Sequence, residues 1–366
     1  MAKRFYTVLL IIICLFSVFS FATSAQEGSY YPPQEVMCIA HRGDTALYVK
    51  NSKEAVLSAF GKGADFVSVN IRKADSGELV LCSENVPEVK GTPLKEMLSL
   101  LGEEDILILD FDSELKDEVY DLLSGEAALA RAWLRIKDSA KNLNRWISSK
   151  DEEPTVIGVC SSFNIFTVQG FVEKLNHMPA VQLQSKNYFN VMYGSLCYSY
   201  YASRQGTRAI APMYNPDLCG QRSDSEDGWN DLINKNFSII ETNNLDAFIS
   251  YRDNALKLKE NLTALLKKAQ AIDPELYSLV SRENLKDSIE TAKRLVVGGM
   301  ASCDELQSAH SALLLSINSL TLSEGEDNQK GALNVTPGKI VAAVLVGTAI
   351  LAAQIYVHKM QKEKKR

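Results

Sequence analysis

A histidine and an arginine stand side by side in the run Ile39-Ala-His41-Arg42-Gly43, at the end of the first predicted strand. The imidazole of His41 can act as a general acid or base near neutral pH. The guanidinium of Arg42 can hold a phosphate or carboxylate through two parallel hydrogen bonds. The pair therefore indicates acid–base chemistry or anion binding, whereas a structural histidine beside a salt-bridged arginine is the plainer interpretation.

An ordered set of motifs follows this pair. Val49-Lys-Asn-Ser52 comes first, Gly63-Ala-Asp-Phe-Val67 follows, and a strand-like run ends in Leu81-Cys82. In order and spacing this resembles the glycerophosphodiester phosphodiesterase family, which reads His-Arg-Gly, Pro-Glu-Asn-Thr, Gly-Ala-Asp-x-x-Glu-x-Asp and a strand ending in His-Asp. Weaker matches extend the resemblance over about 215 residues, at Gly91–Leu98, Ser161–Asn164 and Ile239–Thr242.

The resemblance implies an α/β fold, a (β/α)8 TIM barrel of the phospholipase-C-like phosphodiesterase type. It also implies hydrolysis of phosphodiesters with a divalent cation and two histidines. His41 and Arg42 match the family's motif and are the candidate catalytic residues.

Other family positions have changed. Lys50 stands for the glutamate of Pro-Glu-Asn-Thr, Ser68 and Asn70 stand for two metal-binding carboxylates, and Cys82 stands for the second histidine. The third carboxylate ligand, on the fourth strand, corresponds to Asp110, or to Arg135 if Leu134–Lys137 is the true counterpart.

These changes affect the metal and the second acid–base group. Calcium and magnesium need several hard oxygen ligands, so we expect no bound cofactor, with at most residual Ca²⁺ or Mg²⁺ binding at Asp110. A thiol with a pKa near 8.5 is a poor substitute for a histidine. We therefore expect a binding module for a phosphodiester or lipid headgroup, with its candidate binding residues being Lys50, Arg72, Arg135 and Lys137. The alternative is a metal-independent phosphodiesterase in which Lys50, Arg72 or Arg135 supplies the charge of the metal. The bacterial phosphoinositide-specific phospholipases that resemble this barrel use an arginine in that way.

Elements that could position these residues extend from Val36 to about Tyr251. Short apolar runs alternate there with helical patterns, which is typical of parallel βαβ units and of a (β/α)8 barrel at residues 35–253. Nine candidate strands compete for eight positions, so one is either an accessory strand or not a strand: Val36–Ala40, Phe66–Ile71, Leu79–Cys82, Ile106–Phe111, Ala132–Ile136, Val156–Cys160, Ala180–Leu183, Arg208–Met213 and Ser238–Glu241.

Residues 254–320 have helical periodicity and predict a three-helix bundle. Asp273-Pro274 and Gly298-Gly299 separate the helices, and Ser302 with Glu305 predicts a capping box. The bundle resembles a FIVAR module of bacterial surface proteins, so its expected role is that of a spacer or of a binding module for a cell-surface glycan or protein. Residues 321–339 are polar and read as a linker.

The chain ends predict targeting to a membrane. Residues 1–25 have the basic start, apolar core and small residues of a signal peptide, although an uncleaved anchor is the alternative. Residues 340–357 form an uncharged apolar run long enough to span a bilayer, and the basic tail 358–366 is expected on the cytoplasmic side. We expect a single-pass membrane protein whose body is extracellular, on a Gram-positive surface.

The net charge of −6 conceals an uneven distribution. Lys3, Arg4 and the tail together contribute +6, so the region between them carries −12. An acidic body of this kind argues against nucleic-acid binding, which uses basic surfaces. Phosphate recognition would therefore have to come from local cations around His41.

Overall fold

The computed structural model describes residues 36–82, 89–161, 170–171, 173–174, 178–183, 207–211, 224–298 and 301–322. The predicted signal peptide, apolar run 340–357 and basic tail lie outside these residues. The chain divides into two compact units, Met1–Thr321 and Leu322–Arg366, and the elements below belong to the first. Within the described ranges, no helix is both long enough and apolar enough to cross a membrane.

Ten strands and eight α-helices make up the described fold. The strands are β1 (Met37–His41), β2 (Phe66–Lys73), β3 (Leu79–Leu81), β4 (Thr92–Pro93), β5 (Ile106–Asp110), β6 (Ala132–Ile136), β7 (Val156–Cys160), β8 (Ala180–Leu183), β9 (Arg208–Ala211) and β10 (Ile239–Thr242). The helices are α1 (Lys53–Gly61), α2 (Leu94–Leu100), α3 (Lys116–Gly125), α4 (Ala140–Ile147), α5 (Glu226–Asn234), α6 (Leu245–Gln270), α7 (Leu279–Val297) and α8 (Cys303–Asn318).

Eight of the strands form a closed parallel barrel. Their order is β1-β2-β5-β6-β7-β8-β9-β10, and β10 pairs with β1 to complete the ring. The predicted (β/α)8 barrel is therefore confirmed by the strand pairing of this chain.

The accessory strand is β3, which corresponds to the candidate Leu79–Cys82. β2 is eight residues long, and only Phe66–Asn70 pairs with β5. The remainder, Ile71–Lys73, pairs antiparallel with β3, and β3 pairs in turn with β4. β3 and β4 thus extend β2 outside the ring.

The barrel lumen has an apolar layer with a polar layer above it. Ile39, Phe66, Ile108, Ile157, Ala180, Ile210 and Ile239 form one buried cluster, and Trp133 packs against it. Side chains in a strand alternate between two faces, so a residue two positions further points the same way. The inward positions above this layer include those of His41, Ser68, Asp110, Arg135, Gln182 and Glu241. The alternation of the strands therefore places polar groups inside the carboxyl end of the barrel.

Helix α6 belongs to both the barrel and the bundle. Its first half buries Leu245, Phe248 and Tyr251 in the core around the barrel, whereas its second half buries Leu262 and Leu266 in the bundle core. The predicted boundary between residues 253 and 254 falls inside this continuous helix.

The other bundle helices begin and end at the predicted signals. α7 ends at Val297 with Gly298 as its C-cap residue. Ser302 and Glu305 form the predicted capping box at the start of α8. The apolar faces of α6, α7 and α8 pack against one another through Leu262, Leu285, Ala292, Leu306 and Leu313, among others.

Candidate functional site

The polar layer of the lumen opens into a pocket of about 550 Å³ at the carboxyl ends of the strands. The carboxyl end is the face on which barrels of this type carry their active sites. The pocket is lined by His41, Arg42, Asn70, Ile71, Arg72, Asp110, Phe111, Asp112, Arg135, Lys137, Val159, Gln182 and Glu241.

Arg135 joins two acidic residues of the pocket, the half-buried Asp110 and the buried Glu241. Asp110 on β5 and Arg135 on β6 are register partners, and Arg135 Nε lies 3.3 Å from Asp110 Oδ1. This N–H is not aligned for a hydrogen bond, but Arg135 Nη1 donates to Asp110 Oδ2 at 3.5 Å. On its other side, Arg135 Nη2 donates to Glu241 Oε1 at 2.9 Å.

Arg42 approaches Asp110 from the first strand. Its Nη1 donates to Asp110 Oδ2 at 2.6 Å, and its backbone N–H donates to the carbonyl of Ser68 at 3.0 Å. Arg42 has a positive φ of 69°, and Gly43 follows with a φ of 88°. This left-handed turn at the end of β1 directs the arginine over the mouth of the barrel.

His41 is oriented by a carboxylate and a hydroxyl. Its Nδ1 lies 3.3 Å from Glu241 Oε1 and 3.3 Å from Ser68 Oγ. The carboxylate belongs to β10, the last strand of the barrel, and β10 pairs with β1. An imidazole held by a buried carboxylate at a pocket wall has the geometry of a general base.

Glu241 remains ionised despite its burial. Burial alone would raise the pKa of its carboxyl, but the charge of Arg135, followed by the charge and hydrogen bond of His41, holds the pKa well below its usual range. For Arg135, burial opposes the charged form, and Asp110 and Glu241 outweigh it and raise the pKa of the guanidinium. The charges at the base of the pocket are therefore fixed near neutral pH.

The residues present do not fit a divalent cation. Asp110, the one carboxylate predicted as a ligand, is contacted by the guanidiniums of Arg42 and Arg135. No group of three histidine, cysteine or acidic side chains that could hold a metal occurs in the described part of the chain. A metal here would have to approach two arginines, so the positive charge of this site comes from the protein.

Two acceptors in the pocket have no hydrogen-bond partner among the described residues. Gln182 Oε1 and Glu241 Oε2 are buried, and neither receives a hydrogen bond from that part of the chain. An unsatisfied buried acceptor is costly, so both atoms are suited to an O–H or N–H donor of a bound molecule or water. The pocket thus combines cations for an anion with acceptors for a donor.

The structure brings seven of the predicted site residues to this pocket: His41, Arg42, Asn70, Arg72, Asp110, Arg135 and Lys137. Ser68 is fully buried beneath His41, and Cys82 is buried in the core rather than in the pocket lining. Lys50 is exposed on the loop after β1 and does not line the pocket. Cys197 and Cys219, whose positions in the sequence would allow a disulfide outside the cell, lie outside the described residues.

Sequence reasoning missed Gln182 and Glu241. Each is the single inward polar residue of a short apolar strand, Ala-Val-Gln-Leu or Ile-Ile-Glu-Thr. A buried polar residue in an apolar strand is the signal that could have identified both.

Comparisons with known proteins yield structural matches alone. No protein-family model matches the chain, and no curated protein matches it. One similar solved structure is a putative glycerophosphodiester phosphodiesterase from Galdieria sulphuraria, at 11% identity and a TM-score of 0.48, covering 60% of this chain and 99% of that one. Another, a glycerophosphoryl diester phosphodiesterase from Parabacteroides distasonis, has 13% identity and a TM-score of 0.49, covering 62% of this chain and 89% of that one.

A third similar structure is a phosphodiesterase from Oleispira antarctica in complex with the product sn-glycerol-3-phosphate. It has 12% identity and a TM-score of 0.45, and the match covers 60% of this chain and 96% of that one. At such identities a shared barrel does not transfer activity, because function resides in the site residues.

Proposed function

We propose that the pocket binds a phosphodiester of the glycerophosphodiester or lipid-headgroup class without cleaving it. The observation that carries this proposal is the set of four cationic side chains in the pocket: Arg42, Arg72, Arg135 and Lys137. Guanidiniums suit phosphate oxygens because they donate two parallel hydrogen bonds. The open acceptors of Gln182 and Glu241 suit a hydroxyl or amine on the same ligand.

A binding role is favoured over catalysis by what surrounds His41. Among the described pocket residues His41 is the sole imidazole, and the carboxylates of Asp110 and Glu241 are held by arginines rather than arranged for a metal. Departure of an alkoxide from a phosphodiester requires an acid to protonate it. Asp110 and Glu241 are not suited to that role, because both are ion-paired.

A metal-independent phosphodiesterase is the second candidate, and the His41–Glu241 pair favours it. In that mechanism His41 takes the proton of the attacking hydroxyl or water, with Glu241 stabilising the imidazolium. The new P–O bond replaces the bond to the leaving alkoxide, which takes its proton from solvent water. Arg42 and Arg135 supply the charge that stabilises the phosphoryl oxygens in the transition state. A metal is not needed for either step.

Calorimetry with the full-length chain and glycerophosphocholine tests the binding proposal. We expect Arg72→Gln to weaken binding at least tenfold. Lys73→Gln is the matched control, since Lys73 is the next residue of β2, is exposed and pairs with Glu118 outside the pocket. Absence of binding by the unaltered chain, or equal losses in both variants, would overturn the proposal.

A turnover assay separates the two candidates. The binding module predicts no release of choline or glycerol phosphate, with or without a chelator. Turnover that persists in chelator and disappears in His41→Asn would establish the metal-independent enzyme instead. Turnover that requires added Ca²⁺ would contradict both candidates.

We also propose, from the sequence, that residues 340–357 anchor the chain in a cell membrane with the barrel outside. The bundle then serves as a spacer or as a binding module for a surface glycan or protein. Digestion of intact cells by an external protease tests this arrangement: the barrel should be cleaved, and an epitope placed after Arg366 should be protected.

A further inference from the structure

Three consecutive apolar side chains are exposed on the loop between β1 and α1. Leu47 is 67% exposed, Tyr48 is 43% exposed and Val49 is 77% exposed. Lys50 follows them and is also exposed. We call Leu47, Tyr48 and Val49 the apolar tip. Exposed apolar residues are unremarkable one at a time, whereas a contiguous group of them marks an interaction site.

Hydrogen bonds and an ion pair hold the two ends of this loop in place. The backbone N–H of Asp44 donates to Ala55 of α1, and the Asp44 carboxylate accepts from Ser58 and pairs with Lys62. At the other end, Asn51 donates its backbone N–H to Arg42 and accepts the backbone N–H of Asn70. The apolar tip is therefore presented by a framework of buried hydrogen bonds.

The apolar tip lies on the same face of the barrel as the pocket. The loop leaves β1 immediately after His41 and Arg42, which line the pocket, and βα loops gather at the carboxyl end of a barrel. A surface that contacts this tip therefore also faces the mouth, where cations lie. Apolar side chains beside exposed cations suit the interface of a bilayer. The apolar side chains enter the acyl boundary there, and the cations contact lipid phosphates.

We propose that the apolar tip inserts into the surface of a lipid bilayer and presents the pocket to it. The occupant is a bilayer rather than a protein because it matches both parts of this face, acyl chains for the tip and phosphate for the cations. The sequence is consistent with this occupant, since the apolar run 340–357 is a predicted anchor. Insertion does not require the pocket to bind a phosphodiester, so this proposal is tested independently of the proposed function.

Quenching by brominated lipid tests the proposal. The full-length chain carrying Tyr48→Trp is incorporated into phosphatidylcholine vesicles whose acyl chains are brominated. The emission added by the new tryptophan should be quenched at least twofold relative to vesicles of unbrominated lipid. Adding Leu47→Ser and Val49→Ser to the same chain should remove this quenching.

Leu100→Trp is the matched control. Leu100 is 45% exposed, similar to Tyr48, but it ends α2 and precedes the amino end of β5, on the opposite rim. Its emission should not be quenched by brominated lipid. Equal quenching at both positions, or none at Tyr48→Trp, would overturn the proposal. Shielding of Tyr48→Trp from acrylamide without lipid quenching would instead identify a protein or a second copy as the occupant.

Discussion

Arg135 determines the charge balance of the pocket, because its guanidinium lies within 3.3 Å of both Asp110 and Glu241. Removing one partner from a buried ion pair leaves an uncompensated charge, and that loss is more costly than the net value of the pair. At this site the loss would affect Glu241, whose side chain is fully buried and ionised.

Replacing Arg135 by methionine should destabilise the protein by about 3–5 kcal/mol at pH 7. The depressed pKa of Glu241 means that its charge stabilises the fold above its unfolded pKa of about 4.3. That contribution is lost as the pH falls through the lower folded pKa. Without Arg135, burial raises the pKa instead, so protonation relieves the cost and the destabilisation should shrink between pH 7 and pH 5. Urea unfolding at both pH values measures this difference.

The double variant Arg135→Met, Glu241→Gln is the control for this prediction. It removes both charges, so it should recover part of the stability that the single variant loses at pH 7. A destabilisation that does not change with pH and is not recovered would show that Arg135 contributes through packing alone.

At the scale of single residues, the sequence predicts those site residues that belong to a recognisable motif. His41 and Arg42 could be found because they belong to an ordered set of motifs at the end of a strand. Gln182 and Glu241 could not, since their role depends on which face of a short strand points inward and on which strands become neighbours. Lys50 shows the converse: its alignment with a family glutamate was clear, but the turn after β1 places it outside the pocket.

At the scale of elements, the backbone geometry of the turn between β1 and α1 depends on Gly43. Its φ of 88° is unfavourable for residues with a side chain. A Cβ there would also lie 2.6 Å from the backbone carbonyl carbon of Ala55 in α1. The close approach of this turn to the helix therefore requires glycine.

Gly43→Ala should destabilise the protein by more than about 2 kcal/mol, since it combines an unfavourable φ with a backbone clash. The free energy of unfolding in urea measures this effect. Gly61→Ala is the matched control: Gly61 ends α1, and an added Cβ there has no neighbour within 4 Å. That change should be neutral or stabilising by up to about 1 kcal/mol. Similar effects at both glycines would contradict the steric argument.

At the scale of elements, strands and helices are largely predictable because apolar periodicity is local. The candidate Leu79–Cys82 could not be assigned as accessory from its residues, since a strand that extends β2 is as apolar as a strand of the ring. The bundle signals at Gly298 and at Ser302 with Glu305 were reliable because caps depend on nearby backbone groups.

At the scale of the whole molecule, helix α6 and the contacts around Tyr251 join the barrel to the bundle. The Tyr251 hydroxyl donates to Asn230 Oδ1 at 2.6 Å and accepts the backbone N–H of Cys303 at 3.3 Å. Burial raises the pKa of Tyr251 and raises that of Cys303 to about 11, so both remain neutral. The sequence suggested two separate modules here because the periodicity changes near residue 254, although the helix itself does not end.

The full chain should therefore unfold its barrel and bundle in one transition. Tryptophan fluorescence reports the barrel, where all three tryptophans lie, and circular dichroism at 222 nm reports all helices, so the two curves should coincide. Asn254→Pro should separate them, because a proline inside a helix costs about 3 kcal/mol and removes a hydrogen bond. Asn254→Ala, which loses only a 3.8 Å contact with Cys303 Sγ, should leave them superimposed. Separate transitions in the unaltered chain would contradict this coupling.

Closure of the ring by β1 and β10 also has a consequence for biosynthesis. The contact between His41 and Glu241 joins residues 200 positions apart, and the pocket draws side chains from seven strands along that interval. Contacts of such long sequence separation form late and slowly. The complete pocket therefore cannot form in a nascent chain while Ile239–Thr242 is still untranslated, because Glu241 lies on that strand. Any ligand-dependent gain in yield during production would have to arise after the last strand is made.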